Sequence, residues 1–210
     1  MSKESDIPKA TARRLPLYQH AFRTLSEMNT KKISSKELSG LLKIDSATIR
    51  RDFSYFGTLG RRGYGYDTEE MLEFFNLVLN REKVTHVAII GIGNLGLAIL
   101  RENIGHEDPS IRITAGFDIK EELVNTIYNG IPIYPMDNIK TQLPLLGIDT
   151  VVLTVPSEVA QDVTNSLMEA DVKGILNFSQ DRLTVPDDVR VHNVDLTNEL
   201  QILIYFMDNY

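Results

Sequence analysis

A glycine-rich turn constrains the fold of this chain more than any other feature. The segment Gly91-Ile92-Gly93-Asn94-Leu95-Gly96 follows the apolar run 87–90, and Asp118 lies 22 residues after Gly96, at the end of a second apolar run. In such a turn the first glycine permits the bend, the second lets a pyrophosphate approach, and the third lets a helix pack on a strand. An acid such as Asp118 bonds a ribose 2′-OH and favours NAD over NADP. We therefore predict a dinucleotide site, with a purely structural glycine turn as the alternative.

The segments after residue 84 alternate between strand and helix patterns, which is typical of a doubly wound, Rossmann-like parallel sheet. The nearly continuous apolar run 84–90 fits a central strand that is covered on both faces. We predict strands at 84–90, 113–118, 131–134, 150–155, 174–178 and 189–194, and helices at 95–101, 121–128 and 158–170.

Ligands of such sheets lie at the carboxyl ends of the strands. Thr154, Val155 and Pro156 follow one predicted strand, and Asn177 and Phe178 end another. We expect these residues to contact the ribose and the nicotinamide, although each segment taken alone also fits an ordinary strand-to-helix turn. We find no general acid or base with a partner beside this site, which favours a bound signal over a consumed substrate.

The charges of the chain divide unevenly between its two ends. Residues 1–66 carry 13 Lys and Arg against 6 Asp and Glu, a net charge of +7, whereas residues 67–210 carry a net charge of −14. A basic end of this kind suggests a polyanionic partner, because Lys and Arg neutralise nucleic-acid phosphates. A solvated basic face without a partner is the alternative.

Short helical segments at the basic end fit a helix-turn-helix motif. A first helix at 12–28, with Pro16 near its first turn, precedes a capping box formed by Ser34 and Glu37. The turn 43–45 joins the second short helix to a third at 47–56. The third helix would enter the major groove with its N-terminal end. Its expected contacts are the small residues Ser46, Ala47 and Thr48, followed by Arg50, Arg51 and Ser54.

The glycine-rich segment 57–66 predicts a basic hairpin after the third helix, which would be the wing of a winged-helix domain. Arg61 and Arg62 would reach a narrow minor groove, which attracts arginine. A flexible loop is the alternative. Asp67 begins a capping segment for an amphipathic helix at 71–79, and residues 80–83 fit a linker.

The C-terminal segment 196–207 predicts a helix that is apolar almost all round. Such a helix must be covered on several sides. Burial in a partner subunit would cover it, and wrapping within one monomer is the alternative. We therefore divide the chain into a winged-helix domain (1–80), a Rossmann domain (81–195) and a C-terminal helix (196–210).

Several classes of protein are disfavoured by what the sequence lacks. The chain has no cysteine, and its four histidines show no metal-ligand spacing, so we expect no metal. Its first residues do not resemble a signal peptide, and no apolar run approaches the roughly 20 residues of a membrane span. We expect a cytoplasmic protein without a membrane partner.

Taken together, four stretches resemble the Rex family of redox-sensing transcriptional repressors. The stretches are 45–57, 63–66, 153–156 and 173–178, and the resemblance extends over nearly the whole chain. It implies a homodimer with a C-terminal helix swapped between subunits, and binding to palindromic double-stranded operator DNA. It also implies that NADH releases the DNA, that NAD+ permits the DNA-bound form, and that the targets are genes of fermentation and anaerobic respiration. With the family stretches included, the expected DNA contacts are Lys43, Ser46, Ala47, Thr48, Arg50, Arg51, Ser54, Tyr55, Arg61, Arg62 and Tyr64.

Two positions depart from the family pattern. His20 stands where the family has an arginine on the first helix, and Glu102 stands where it has a tyrosine after the first Rossmann helix. Both positions belong to a relay through an aspartate that Asp195 matches. The resemblance therefore assigns a switch role to Asp195 alone.

Linkage gives this hypothesis a physical form, because NADH releases DNA only if it binds more tightly to a conformation with poor DNA affinity. An apolar pocket would disfavour the cationic oxidised nicotinamide through desolvation. The candidate walls of that pocket are Ile92, Pro156, Leu176 and Phe178. An NAD-dependent oxidoreductase with an appended helical domain remains an alternative, as does a DNA-binding protein whose Rossmann unit binds another nucleotide, such as coenzyme A.

Overall fold

The computed structural model describes residues 7–57, 59, 65–79, 83–102, 108 and 110–209. The chain divides into two compact units, Met1–Lys83 and Val84–Tyr210. The division falls at the end of the predicted linker, 80–83, and the C-terminal helix groups with the second unit.

The first unit is a small helical domain with an aromatic core. Its elements are α1 (Lys9–Glu27), β1 (Lys32–Ile33), α2 (Ser35–Leu42), α3 (Ser46–Ser54), β2 (Tyr66–Asp67) and α4 (Thr68–Val78). Tyr18 and Phe22 of α1 pack with Phe53 of α3 and Phe75 of α4, and all four are buried. Aromatic rings bury large areas and pack edge to face, so this cluster joins the three helices.

Helix boundaries in the first unit differ from the prediction at one informative place. α1 begins at Lys9, three residues before the predicted start, so Pro16 lies inside the helix and not near its first turn. Proline removes one helical hydrogen bond there. Burial of Leu15, Tyr18 and Phe22 on both sides of Pro16 supplies the packing that holds the helix together. The capping box at Ser34 and Glu37 is confirmed.

The segment after α3 ends in β2, which lies beside β1, the short strand between α1 and α2. β2 pairs antiparallel with β1, with Tyr66 opposite Ile33. Gly57 and Gly65 have positive φ angles of 96° and 77°. At Gly65 an added Cβ would lie 2.7 Å from the Ile33 carbonyl oxygen, so only glycine allows this close approach. The tip of the expected wing, with Arg61, Arg62 and Tyr64, lies outside the described residues.

The second unit is a doubly wound sheet, as the sequence predicts. Its elements are β3 (Thr85–Ile90), α5 (Asn94–Glu102), β4 (Ile111–Asp118), β5 (Thr126–Tyr128), β6 (Ile131–Pro135), α6 (Ile139–Leu145), β7 (Thr150–Leu153), α7 (Ser157–Glu169), β8 (Gly174–Asn177), β9 (Arg190–Asn193) and α8 (Leu196–Asn209). The strand order is β5-β6-β4-β3-β7-β8-β9, and every pairing is parallel except that of β5 with β6. The order reverses between β3 and β7, so a ligand crevice is expected at their carboxyl ends.

The helix predicted at 121–128 is wrong. Residues 121–125 form turns, and β5 follows as a strand that pairs with β6 through the dipeptide Asn129-Gly130. Both residues have positive φ, 49° and 80°, as a type I′ hairpin turn requires. Tertiary pairing with β6 therefore overrides the helical periodicity of this segment.

Two further helices complete the second unit. A 3-10 turn (Met136–Asn138) leads into α6, which the sequence reading missed, and Ile139 and Leu143 of α6 are buried in the main core. α8 forms where predicted. None of the helices in the described part of the chain has the length and apolar character needed to span a membrane.

Candidate functional sites

The glycine turn between β3 and α5 is held by close backbone packing. Gly91 has a φ angle of 92°, and a Cβ there would lie 2.8 Å from Cγ1 of Val155. A Cβ on Gly96 would lie 2.1 Å from the Gly91 carbonyl oxygen, which no small adjustment relieves. These two glycines let α5 begin directly against the end of β3.

Gly93 differs from its two neighbours because its missing side chain faces open space. No heavy atom lies within 4 Å of a Cβ built there. The carbonyl of Gly93 accepts the N–H of Leu97 at 2.8 Å, so Gly93 directly precedes the first turn of α5. The first N–H groups of a helix have no partner within the helix and carry partial positive charge. The turn therefore combines an open approach with amide donors, which suits a pyrophosphate.

Asp118 is buried at the end of β4 and joins the glycine turn to the next loop. One carboxylate oxygen accepts the N–H of Ile92, and the other accepts the N–H of Lys120 at 2.8 Å. Each oxygen keeps further lone-pair capacity, so these bonds orient the carboxylate without consuming it. The contact of Asp118 with a ribose stays a prediction.

Two of the expected contacts after β7 have structural tasks. The Thr154 hydroxyl lies 2.7 Å from the Gly91 carbonyl oxygen and donates into the turn. Val155 is buried against Gly91. Pro156 is exposed at the start of α7. Thr154 and Val155 thus shape the crevice. Thr154 is half-buried and Pro156 is exposed, and the cofactor contacts of all three residues stay predictions.

Two of the residues predicted to contact the cofactor, Asn177 and Ile92, have buried side chains. Asn177 has 0% exposure, and its side chain bonds to Ser179, Asp181 and Asn193. Ile92 is 2% exposed and packs in the core near Gly116. The cofactor contacts of both residues stay predictions. Leu176 and Phe178 are half-buried and remain candidate walls. The burial of Asn177 and Ile92 results from their positions in the fold, which the sequence patterns did not predict.

The candidate recognition helix, α3, presents a polar face and buries an apolar one. Ile49 and Phe53 are buried in the core of the first unit. The exposed residues of the expected DNA set are Lys43, Ala47, Arg50, Arg51 and Ser54, whereas Ser46, Thr48 and Tyr55 are half-buried. The structure thus leaves the predicted cationic side chains of the described set accessible to a polyanion.

Local hydrogen bonds set the start and the side chains of α3. Asp45 caps the helix, because its carboxylate accepts the N–H groups of Ala47 at 2.7 Å and Thr48 at 3.2 Å. Lys43 has a positive φ angle of 56° and ends α2. Arg50 Nη1 donates to Ser35 Oγ at 2.9 Å. This bond holds the Arg50 guanidinium beside the start of α2.

A buried carboxylate on α3, which the sequence reading missed, joins this helix to α1. Asp52 is 2% exposed and accepts hydrogen bonds from Thr11, Arg14 and Tyr18. The Arg14 contact is bidentate, at 2.6 and 2.7 Å, and the Tyr18 hydroxyl lies 2.5 Å away. A sequence signal existed: Asp52 follows Ile49 by three residues and so falls on the buried helix face.

The ionisation of this cluster follows from its contacts. Burial alone would raise the pKa of Asp52, but the hydrogen bonds from Arg14, Tyr18 and Thr11 outweigh burial and lower that pKa below its ordinary value. Burial, and then the bond to Asp52, raises the pKa of Tyr18. The bond to Asp52 also raises the pKa of Arg14. The carboxylate and guanidinium are therefore both charged at neutral pH, and the phenol is protonated.

The three positions that the family resemblance places in a relay, His20, Glu102 and Asp195, are all exposed. His20 is exposed on α1, and Glu102 is exposed at the end of α5. Asp195 directly precedes α8, and its carboxylate accepts the N–H groups of Thr197 at 2.9 Å and Asn198 at 3.2 Å. Its switch role stays a prediction. Within the described ranges, no cluster of three or more histidine or acidic side chains could hold a metal ion.

Comparison with known proteins identifies the family. A family model described as a putative DNA-binding protein N-terminus matches residues 6–54, and one described as a CoA binding domain matches residues 82–180. The redox-sensing transcriptional repressor Rex of Levilactobacillus brevis is 56% identical over 207 residues, which cover 99% of this chain and 97% of that protein.

A solved relative agrees with the sequence match. RSP, a Rex-family repressor, in complex with NAD+ and operator DNA has a TM-score of 0.89 at 32% identity, covering 98% of this chain and 94% of RSP. RSP in complex with NADH has a TM-score of 0.85 at 30% identity, covering 98% of this chain and 96% of RSP. These matches extend over both units. The chain belongs to the Rex family of redox-sensing transcriptional repressors.

Proposed function

We propose that this protein represses transcription in response to the NADH/NAD+ ratio, binding operator DNA through α3 and releasing it when NADH occupies the turn between β3 and α5. The observation that carries the proposal is the presence, in one chain, of an open glycine turn at a sheet crevice and an exposed cationic recognition helix. The resemblance to RSP, which was solved with both NAD+ and operator DNA, supports the same assignment.

The DNA contacts follow from the polarity of α3. The capped N-terminus carries Ser46, Ala47 and Thr48, which are small enough for close approach to base edges in a major groove. Arg50 and Arg51 are exposed and reach phosphates or bases, which fixes the register of the protein on the duplex. On the buried face of α3, Asp52 accepts hydrogen bonds from Arg14 and so joins this helix to α1. Arg61, Arg62 and Tyr64 complete the proposed contacts from the wing.

The cofactor contacts follow from the open side of the glycine turn. The pyrophosphate would lie over Gly93 and the first N–H groups of α5, and Asp118 would receive the adenosine ribose. The nicotinamide would extend toward Pro156 and Phe178 at the ends of β7 and β8. The bound group supplies a redox-dependent charge, since the oxidised ring is cationic and the reduced ring is neutral. An apolar surround would favour the neutral form through desolvation.

Control by NADH requires an energetic coupling between the cofactor site and the DNA-binding face of α3. It also requires two DNA-binding units that act together. A thousandfold loss of operator affinity requires roughly 4 kcal/mol of coupling free energy. Such a coupling acts by shifting the population between a form that fits two successive operator half-sites and one that does not. Asp195, at the start of α8, is the proposed switch residue.

A homodimer formed through α8 would present two DNA-binding units to the two operator half-sites. Leu200, Leu203 and Phe206 are 58%, 54% and 51% exposed, and every described side chain from 196 to 207 is exposed in the single chain. Large contiguous apolar surfaces of this kind mark interaction sites. We propose that the helix is covered by a second copy, with α8 swapped between subunits. A Leu203→Glu variant tests this by sedimentation, where an unchanged molecular mass would refute the proposed contact.

Two other functions are less favoured. The CoA binding domain match keeps coenzyme A as a candidate ligand of the same turn, but RSP was solved with NAD+ and NADH. An oxidoreductase is not favoured, because the relatives are repressors. Substrate-dependent absorbance change at 340 nm would reinstate it. We further propose a cytoplasmic location, which suits a DNA-binding regulator.

The decisive experiment measures operator affinity across a range of NADH at fixed NAD+. We expect operator binding to weaken as NADH rises. Arg50→Ala should weaken DNA binding while leaving NADH binding intact. Gly93→Ala, whose Cβ would meet no atom within 4 Å, should do the reverse. Operator affinity that is equal in the absence and presence of saturating NADH would refute the sensor.

A further inference from the structure

The side chain of Asn177, at the end of β8, makes a complete set of hydrogen bonds in a fully buried position. Its Nδ2 donates to the Asp181 carbonyl oxygen at 3.0 Å and to Asn193 Oδ1 at 2.8 Å. Its Oδ1 accepts the N–H and the hydroxyl of Ser179 at 2.9 and 2.7 Å. The residue has 0% exposure. Since an amide side chain offers two donors and two acceptor lone pairs, each is satisfied by protein.

The bonds of Asn177 extend to two different parts of the second unit. Ser179 and Asp181 belong to the segment after β8, which follows Phe178 at the carboxyl edge of the sheet, where ligands of this fold lie. Asn193 is the last residue of β9. The backbone carbonyl of Asn177 also accepts the N–H of Val194 at 2.8 Å. One residue therefore joins the ligand edge to the end of β9.

The end of β9 leads directly into the C-terminal helix. Asp195 follows Val194 and caps α8 through the N–H groups of Thr197 and Asn198. Only one residue separates Asn193 from that cap. A displacement of residues 193 and 194 would therefore act directly on the first turn of α8, the helix proposed above to form the dimer.

We propose that Asn177 is a positioning residue that couples the nicotinamide end of the cofactor site to the start of α8 through Asn193. A buried amide cannot replace a lost partner with solvent, so a movement of Ser179 on ligand binding either carries Asn193 with it or leaves a buried group unpaired. The ligand edge and the base of α8 consequently shift together. This inference rests on the proposed function, because it concerns how NADH binding reaches the DNA-binding form.

The test uses Asn193, which is exposed, in place of the buried Asn177, whose substitution would threaten folding. Asn193→Leu removes the acceptor of the Asn177 amide, whereas Asn193→Asp keeps an acceptor oxygen at the same place. Operator affinity of the full chain is measured with and without saturating NADH, and the ratio of the two dissociation constants is the coupling factor. NADH affinity is measured separately by nicotinamide fluorescence, without DNA.

We expect Asn193→Leu to reduce the coupling factor about tenfold, within the range of ordinary allosteric couplings, while its NADH affinity stays near that of the wild type. Its melting temperature should fall modestly, because the buried Asn177 amide loses an acceptor. Asn193→Asp should retain the wild-type coupling factor. A wild-type factor in Asn193→Leu would overturn the inference, as would an equal loss in both variants. If the wild-type protein itself shows no effect of NADH on operator affinity, the proposed function fails instead.

Discussion

Substitution of Asp52 by asparagine should destabilise the first unit strongly, although the two side chains have nearly the same shape. The carboxylate accepts four hydrogen bonds, two at each oxygen: Thr11 and Arg14 Nη2 at Oδ1, and Tyr18 and Arg14 Nε at Oδ2. An asparagine places an NH₂ group at one of these positions, where two donors already point. It also leaves the Arg14 guanidinium without its counter-charge.

The size of the effect follows from burial and charge. Breaking a buried ion pair by removing one partner costs about 3–5 kcal/mol. The Arg14 side chain is 26% exposed, so water relieves part of the loss and the lower end applies. We expect Asp52→Asn to lose about 3 kcal/mol of unfolding free energy at pH 7. For a unit of this size, that corresponds to a melting midpoint roughly 12 °C lower or more.

The effect should depend on pH in a defined direction. The folded-state pKa of Asp52 is lowered, so the carboxylate stabilises the fold fully above its unfolded pKa of about 4, and this stabilisation is lost as pH falls through the folded pKa. The difference in unfolding free energy between wild type and Asp52→Asn should therefore be constant near neutrality and shrink in acid.

Denaturant unfolding at several pH values, followed by circular dichroism, measures this difference. Asp45→Asn is the matched control, because Asp45 is exposed and asparagine caps helices as well as aspartate does. A loss below about 1 kcal/mol for Asp52→Asn, the size of one ordinary hydrogen bond, would refute the role assigned to the buried cluster. A difference that does not change with pH would refute it equally.

Three further substitutions test the backbone geometry. Gly93→Ala should fold as the wild type, because its Cβ meets no atom within 4 Å, yet weaken NADH binding by at least about tenfold, roughly 1.4 kcal/mol, in a fluorescence titration. Gly96→Ala should instead lower stability by about 1–3 kcal/mol in urea unfolding, since its Cβ would lie 2.1 Å from a backbone oxygen. Asn129→Val should lower the melting temperature, because a left-handed conformation costs a β-branched residue about 1–2 kcal/mol. Equal NADH affinity in Gly93→Ala and wild type, or unchanged melting of Asn129→Val, would contradict these assignments.

Local patterns predicted the strongest elements of both units. The capping box at Ser34, the strand before Gly91 and the glycine turn itself depend on short-range chemistry, and the structure places all of them as expected. The segment 121–128 failed for the opposite reason, because its helical periodicity competes with the Asn129-Gly130 turn. That dipeptide was a readable hairpin signal, and it outweighs periodicity once a neighbouring strand is available.

The features of the candidate sites also divide into those that local patterns predict and those that depend on distant residues. Residue spacing alone predicts that Gly93 leaves room for a pyrophosphate. It also predicts the cationic face of α3. The tasks of Asp52, Thr154 and Asn177 depend on partners 41, 63 and 16 residues away along the chain. No local pattern encodes such distances.

The amino-acid sequence by itself determined the nucleotide turn, the basic helix-turn-helix and the apolar C-terminal helix, because each arises from the conformational preferences of neighbouring residues. Tertiary structure alone decided which polar side chains are buried and what they bond. It showed that Asn177 and Thr154 support the crevice through bonds of their own, and that Asp52 joins α3 to α1. The physical reason is that burial removes water as a partner, so a buried polar group must bond to whatever the fold brings beside it.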